Sequence, residues 1–299
     1  MVERVIVTGG DAKYFALIED LCLSVRAQRD ANAMGLTVID AGLTPDQCAH
    51  LSARYGARVF RVPWEFPEAE ARAAGKEHLK MSIVRAFLDR HHPDADIIAW
   101  VDADAWIQDM APLELMFAAA AQNKLAIVSQ TSRYSSVSMT IQYVGLGLAR
   151  VRSILYKNSR NAGLPEAICR KLGDKPTLNS GVFALARSAP HWDVWRARMG
   201  EAIKRGRVFT VDQLSIGLMT YVDGMPVELC PETCNYMGPW KASDDGQTLV
   251  EFYTPYAPVG VVHMAGQDAM RADPKLTIPI PQVSGGSIHR SLRRAAWAR

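Results

Sequence analysis

With 299 residues, 48% of them hydrophobic and 22% charged, the chain has the composition of an ordinary globular protein, long enough for one large α/β domain or two small ones. A net charge of +3 is too small to argue for nucleic acid as a partner. There is no stretch of ~18 apolar residues, so no membrane-spanning helix is expected. Glu3 and Arg4 sit where a leader would carry its apolar run, so no signal peptide is expected either. Cys22, Cys48, Cys169, Cys230 and Cys234 are odd in number and scattered, which implies reduced thiols and a cytoplasmic protein. The Cys230-x-x-x-Cys234 spacing has no second pair to complete a metal site and reads as structural.

In chain order, Arg4–Thr8 reads as a strand and Gly9-Gly10-Asp11 as a turn. From Tyr14 to Arg29, Phe15, Ile18, Leu21, Cys22 and Val25 recur at helical spacing. Gly35–Asp40 is a second strand, Thr44 caps a helix to Tyr55, and Ala57–Val62 is a third strand. This βαβαβ order predicts a parallel sheet with helices on both faces and a nucleotide site at the carboxyl end of the first strand. Neither G-x-G-x-x-G nor the phosphate loop G-x-x-x-x-G-K-[ST] is present, which counts against a dinucleotide enzyme and a P-loop protein.

Residues 64–76 read as a surface connection and Lys76–Arg90 as a helix, stopped by His91-His92-Pro93. Adjacent histidines at a helix end face different ways, so this pair is expected at the surface or behind a site. Ile97–Val101 is a short apolar run, the pattern of a strand buried on both faces, and it ends in Asp102-Ala103-Asp104. Side chains two apart on a strand share a side, so two hard oxygen donors are placed to meet one divalent cation. Pro112–Gln122 reads as a helix, Leu125–Ser129 as a buried strand, and Ile141–Lys157 as a helix broken by Gly145 and Gly147, inside an insertion lining an acceptor site. Then follow a strand through Asn179-Ser180-Gly181, a helix over His191–Lys204 and a helix with Asp212-Gln213 in its first turn. A strand at Val227–Leu229, a loop at Asn235-Tyr236 and a last strand ending at His263 complete the order.

The order of Thr8-Gly-Gly-Asp11 with Tyr14, Lys80, Asp102-Ala-Asp104, Asn179-Ser-Gly, Asp212-Gln213, Asn235 and His263-x-x-Gly266 resembles the retaining glycosyltransferases of the GT-A fold. Family eight, the glycogenin and bacterial galactosyltransferase group, supplies the N-terminal, Asn-Ser-Gly and Asp-Gln features. Trp-Val-Asp-Ala-Asp-Ala and His-Met-Ala-Gly are at least as similar to family thirty-four, the galactosyl- and xylosyltransferases. The resemblance implies a Rossmann-like mixed sheet flanked by helices, and transfer of a sugar from a nucleotide diphosphate, preferably a UDP-sugar, to a saccharide or other hydroxyl acceptor. It implies Mn²⁺ or Mg²⁺ held by Asp102, Asp104 and His263. Thr8, Asp11, Tyr14 and Lys80 would surround the nucleotide, with Asp102, Ala103 and Gly266 beside its phosphates, and Asn179, Asp212 and Gln213 would contact the donor sugar. One departure is Ala269, where family eight carries a phosphate-gripping lysine; Arg271 lies two residues on.

Two other functions fit the same residues: a metal-dependent nucleotide-sugar hydrolase, and a non-catalytic nucleotide- or glycan-binding protein if the acids and His263 fail to converge. The domain is expected over residues 1–273. Residues 274–299, with Pro274, Pro279, Pro281 and Gly285-Gly286 before Arg290, Arg293, Arg294 and Arg299, read as a linker and a basic amphipathic helix able to rest on anionic lipid at the inner face of a membrane.

Overall fold

The computed structural model describes residues 3–28, 34–130 and 139–297. The first third follows the expected alternation: β1 (Arg4–Gly10), α1 (Phe15–Arg26), β2 (Met34–Asp40), α2 (Pro45–Tyr55) and β3 (Arg58–Phe60). The ends of α2 are written in its sequence. Thr44 accepts from the Gln47 amide, the Gln47 side chain returns to the Thr44 amide, Pro45 presets the first turn and Gly56 closes the helix in the left-handed conformation.

The connection expected over 64–76 contains a short helix, α3 (Pro67–Ala73), started by Pro67 and docked through Ala69 and Ala73. Residues 77–91 are helical as expected, but as α4 (Met81–Val84) and α5 (Leu88–His91) joined to 3-10 turns rather than one smooth helix. His92 is no surface residue. It is buried, with Nδ1 donating to the Leu88 carbonyl and Nε2 accepting from Thr37, and it locks the end of the helical run to β2.

Then follow β4 (Ile97–Val101), β5 (Ala105–Ile107), α6 (Ala111–Ala120), β6 (Leu125–Ser129), β7 (Met139–Gly145), β8 (Leu148–Ser153), α7 (Ile154–Asn161) and α8 (Glu166–Lys171). The helix expected across 141–157 is therefore overturned. Residues 139–153 are an antiparallel hairpin whose turn, Gly145-Leu146-Gly147, has positive φ throughout, and helix begins only at Ile154, capped by Ser153. Glycine at both flanks of a turn and β-branched residues on both arms favour a hairpin over a helix interrupted twice.

The remaining elements are β9 (Leu178–Ala186), α9 (His191–Ile203), α10 (Val211–Tyr221), β10 (Val227–Leu229), β11 (Lys241–Ala242), β12 (Leu249–Val250), β13 (Val261–His263), α11 (Asp268–Ala272), β14 (Ile278–Pro281) and β15 (Ser287–Arg290). Seven strands form the main sheet in the order β10-β6-β9-β4-β1-β2-β3. Strand β9 runs antiparallel to both β4 and β6, and the other pairings are parallel, which makes the sheet mixed. The pleat divides β4 between two cores: Ile98 and Trp100 pack on one face with Phe183 and Trp195, while Ile97, Ala99 and Val101 pack on the other with Ile6, Val182 and Ala184.

The C-terminal expectation is also overturned. Instead of a linker and a basic helix, β14 and β15 form a hairpin, and Ile280, Leu292 and Trp297 enter a third core with Trp106, Tyr236 and Trp240. Arg293 donates from Nε to Asp20 at 2.5 Å and from a terminal nitrogen to the Ala16 carbonyl, and Arg290 lies over the Trp297 ring. The apolar side chains that a lipid surface would need are thus spent on the protein's own core, which joins residues 274–297 to the same body as the sheet. All five cysteines are free. No described helix is long and apolar enough to cross a membrane.

Candidate active site

The two acids arrive at one place because of two different pairings. Strand β4 delivers Asp102, whose amide donates to the Gly181 carbonyl of β9 at 2.7 Å. Strand β5 pairs antiparallel with β13, so that His263 stands opposite Ala105, and the Met264 amide donates to the Asp104 carbonyl. The imidazole is 161 residues from Asp102 in sequence (263 − 102) and beside it in space.

Each carboxylate has one oxygen tied and one turned inward. Asp102 Oδ1 accepts from Trp100 Nε1 at 2.7 Å and from Arg85, while Asp104 Oδ2 accepts from Arg271 at 2.5 Å. The other oxygens, Asp102 Oδ2 and Asp104 Oδ1, face His263 Nε2 at 3.9 and 3.3 Å. On its far side His263 donates from Nδ1 to Asn235 Oδ1 at 2.7 Å, which fixes the ring and points Nε2 at the acids. The three residues offer ligand atoms within 4.8 Å of one another, a spacing that suits one hard divalent cation with bonds of roughly 2.0–2.6 Å.

Gly181 keeps this space open. A Cβ there would stand 2.5 Å from His263 Cε1, 2.8 Å from Asp102 Oδ2 and 2.9 Å from Asn179 Oδ1. Burial works against charge on the imidazole, but the neighbouring Asp104 carboxylate overrides it and raises the His263 pKa. Burial likewise works against charge on Asp104, and His263 with Arg271 reverses it, holding that carboxyl low, whereas burial lifts Asp102 above the ordinary range despite Arg85. Two acids this close are thus pushed in opposite directions by their different charged neighbours.

The cleft around the acids has a volume of about 480 Å³ and draws its lining from residues 9 to 271. Of the residues singled out from sequence, Asp11, Tyr14, Asp102, Ala103, Asp104, Asn179, Asp212, Gln213, His263 and Gly266 all line it. Asp11 caps the turn after β1 by accepting from the Lys13 amide, and Tyr14 stands half-buried at the start of α1. Asn179 Oδ1 accepts from the Gly181 amide at 2.8 Å, and Gly266 turns with φ of +76°.

Two expected residues do not line the cleft. Thr8 is fully buried inside β1, two residues short of the strand end. Lys80 is turned away, with Nζ donating to the Val62 carbonyl at 3.1 Å and paired with Glu77 at 2.8 Å, over the Trp64 ring.

Arg85 is the residue that sequence reasoning missed. Buried on the helical run, it donates to Asp102, to Asp212 and, at 3.0 Å, to Ser180, and its guanidinium lies 4.8 Å from the Trp100 ring. The available signal was a single charge inside the apolar run Met81–Leu88, because a buried arginine requires carboxylate partners. Asp212 Oδ2 accepts from Arg85 and from Ser180 at 2.7 Å, but Asp212 Oδ1 is buried with no partner, as are Arg85 Nε and Asn235 Nδ2. Arg85 and Asp212 line the cleft, so two of these orphan atoms belong to groups at its wall, and Asn235 stands behind His263.

No family model matches the sequence, and no curated protein is similar to it by sequence. The fold nonetheless has solved counterparts. The galactosyltransferase LgtC, solved in complex with donor and acceptor sugar analogues, is 17% identical, with a TM-score of 0.52 over 87% of this chain and 86% of that one. The chain has the GT-A fold. The bifunctional glycosyltransferase WbbM is 14% identical with a TM-score of 0.54, covering 89% of this chain and 46% of WbbM. In GT-A terms the cleft described here opens where β1, β4 and β9 end or begin, at the edge where ligands of α/β sheets bind.

Proposed function

We propose that this protein is a metal-dependent glycosyltransferase that moves a sugar from a nucleotide diphosphate, preferably a UDP-sugar, to a hydroxyl acceptor with retention of anomeric configuration. The observation that carries the proposal is the convergence of Asp102, Asp104 and His263 at the head of one polar cleft. A divalent cation held there would neutralise the charge that grows on the departing diphosphate. Asp11 and Tyr14 line the part of the cleft next to β1 and would receive the base and ribose, with Tyr14 offering a ring face. Arg271 lines the cleft beside Asp104 and would reach the diphosphate where Ala269 has no side chain to do so.

Asn179, Asp212, Gln213 and the buried Arg85 surround the remaining volume, and they would hold the sugar hydroxyls. Asp212 is engaged by Arg85 and Ser180, and a carboxylate so paired is a weak nucleophile. That favours attack from the leaving-group face, in which Asp212 and Gln213 stabilise the developing positive charge and the departing phosphate accepts the proton of the acceptor hydroxyl. Phe209, exposed at the cleft rim, offers an apolar platform on the acceptor side.

The test is nucleoside diphosphate release from a panel of UDP- and GDP-sugars, with Mn²⁺ or chelator, with and without saccharide acceptors. Release is expected with a UDP-sugar, to need the cation, and to rise with acceptor. Full release in chelator would sink the metal-dependent reading, and release of free sugar unaffected by any acceptor would make the protein a hydrolase.

A further inference from the structure

Half of the large, well-exposed apolar side chains among the described residues lie within six positions of one another. Tyr143 is 81% exposed, Val144 51%, Leu146 101% and Leu148 63%, all at the tip of the β7–β8 hairpin. Leu146 also has φ of +52°, between two glycines at +92° and +72°. A branched side chain in the left-handed region is unfavourable, and here it is presented wholly to solvent, so nothing within the chain rewards it. An isolated two-stranded ribbon gains little from its own tip, whereas a contact outside the chain would gain from every one of these side chains.

The charge around the hairpin indicates what that contact is. Between Glu114 and Glu166 the sequence carries six basic residues and not one aspartate or glutamate, in a protein whose whole net charge is only +3; Lys124 is paired with Glu228 and Arg160 with Glu166, and Arg150 and Arg152 are the two nearest the tip in sequence. Arg150 and Arg152 follow the tip directly on β8, and in register they stand opposite Gln142 and Thr140. The tip is one tight turn of a two-stranded ribbon, with its apolar side chains in solvent. A protein partner would need a matching groove, while a fluid surface needs only an apolar wedge, an aromatic residue at the polar boundary and basic residues behind it.

We infer that the hairpin of residues 139–153 is a membrane anchor, inserting Leu146 and its neighbours into a bilayer that carries anionic lipid. The C-terminal arm of the hairpin leads toward the cleft. Strand β8 runs into α7, whose Leu155 packs on Gly217 of α10, the helix that carries Asp212. The inference does not depend on the reaction assigned to the cleft, and it replaces the C-terminal tail, whose apolar residues are covered, as the route to a membrane.

Co-sedimentation of the full chain with vesicles tests it directly. The protein is expected to pellet with phosphatidylcholine vesicles containing phosphatidylglycerol, more weakly with phosphatidylcholine alone, and less as salt rises. Leu146→Asp is expected to lower partition by at least about tenfold and R150S/R152S by about fivefold or more per charge, with thermal melting and donor turnover in solution unchanged. A Leu146→Trp reporter is expected to shift its emission to the blue with anionic vesicles. No pelleting with anionic vesicles overturns the anchor, as does equal pelleting of Leu146→Asp. A dimer in light scattering that Leu146→Asp splits would show instead that a second copy covers the tip.

Discussion

Arg293 with Asp20 and Arg85 with Asp212 are both largely buried arginine–aspartate contacts, and they are finished in opposite ways. Around Arg293, near the C-terminus, the guanidinium meets Asp20 and the Ala16 carbonyl inside an aromatic core, and no side-chain atom of Arg293 or Asp20 is left buried and unpaired. Around Arg85, in the cleft, three partners are engaged and yet Arg85 Nε, Asp212 Oδ1 and Asn235 Nδ2 remain unpaired. Leaving a buried polar atom unmade costs about 1–3 kcal/mol, and although Thr177, His191 and Thr220 also carry such an atom, Arg85 and Asp212 carry theirs on adjoining groups that line a cleft. The first region is closed within the chain, and the second leaves polar atoms facing a cleft, the arrangement expected of the proposed donor site.

The largest effect that separates the two regions is on turnover. Asp104→Asn removes a charge from the inward-facing set while keeping shape, and is expected to lower nucleoside diphosphate release by about a thousandfold, corresponding to the several kcal/mol a cation supplies to a departing phosphate. Circular dichroism and melting temperature should hardly move. Wild-type turnover in this variant would mean that the acids are not the cation site.

Arg293→Ala is expected to do the reverse. Burial lifts the Asp20 carboxyl above its ordinary range even with Arg293 in contact, so truncating the arginine strands a carboxylate that is already poorly solvated. Breaking such a pair typically costs about 3 kcal/mol or more, readable by denaturant unfolding, with nucleotide affinity unchanged. A stable variant with weakened nucleotide binding would erase the distinction drawn between the two regions.

What the sequence showed of the fold and site follows the same division. Asp102, Asp104 and His263 were legible because a strand ending in two acids and a strand ending in a histidine are local patterns, and the family resemblance supplied their meeting across 161 residues. The βαβαβ start was legible because Thr44, Pro45, Gln47 and Gly56 mark helix ends by chemistry. Arg85 was not, because an arginine in an apolar helical run gives no sign of which distant carboxylates will meet it. The 139–153 hairpin was missed because two glycines interrupt a helix and close a turn equally well in sequence, and only pairing decides. The C-terminal segment was missed because prolines and arginines suggest a solvated tail until the core that covers Leu292 and Trp297 is known.

Two buried histidines sharpen the contrast further. Asp104 beside His263 makes it easier to protonate, whereas His92 is pushed down to about 4 by burial, with Arg58 adding to the effect. A histidine depressed in the folded state contributes stability that is complete above its unfolded pKa of about 6.5 and is lost as pH falls through about 4. Stability is therefore expected to fall by on the order of 3 kcal/mol between those pH values on account of His92 alone. His92→Gln, measured by denaturant melts across the same range, should lack that component of the slope. An unaltered slope would assign the acid sensitivity elsewhere.

The smallest effect is the most selective test of the cleft. Gly181 has an ordinary backbone conformation, so Gly181→Ala introduces no strain of its own, and its methyl group would enter the space bounded by His263 Cε1, Asp102 Oδ2 and Asn179 Oδ1. The imidazole is held on its far side by Asn235 and its strand is pinned by Tyr236 and Ala105, so its freedom to retreat is small. Crowding the ligand atoms without removing any of them is expected to weaken cation binding by about tenfold, or about 1.4 kcal/mol, while overpacking costs about 1–3 kcal/mol of stability. Isothermal titration with Mn²⁺ reads this directly. If the cation instead binds elsewhere, the methyl group leaves its affinity untouched, and the inward turn of Asp102 and Asp104 is then only the packing of two acids against a charged imidazole.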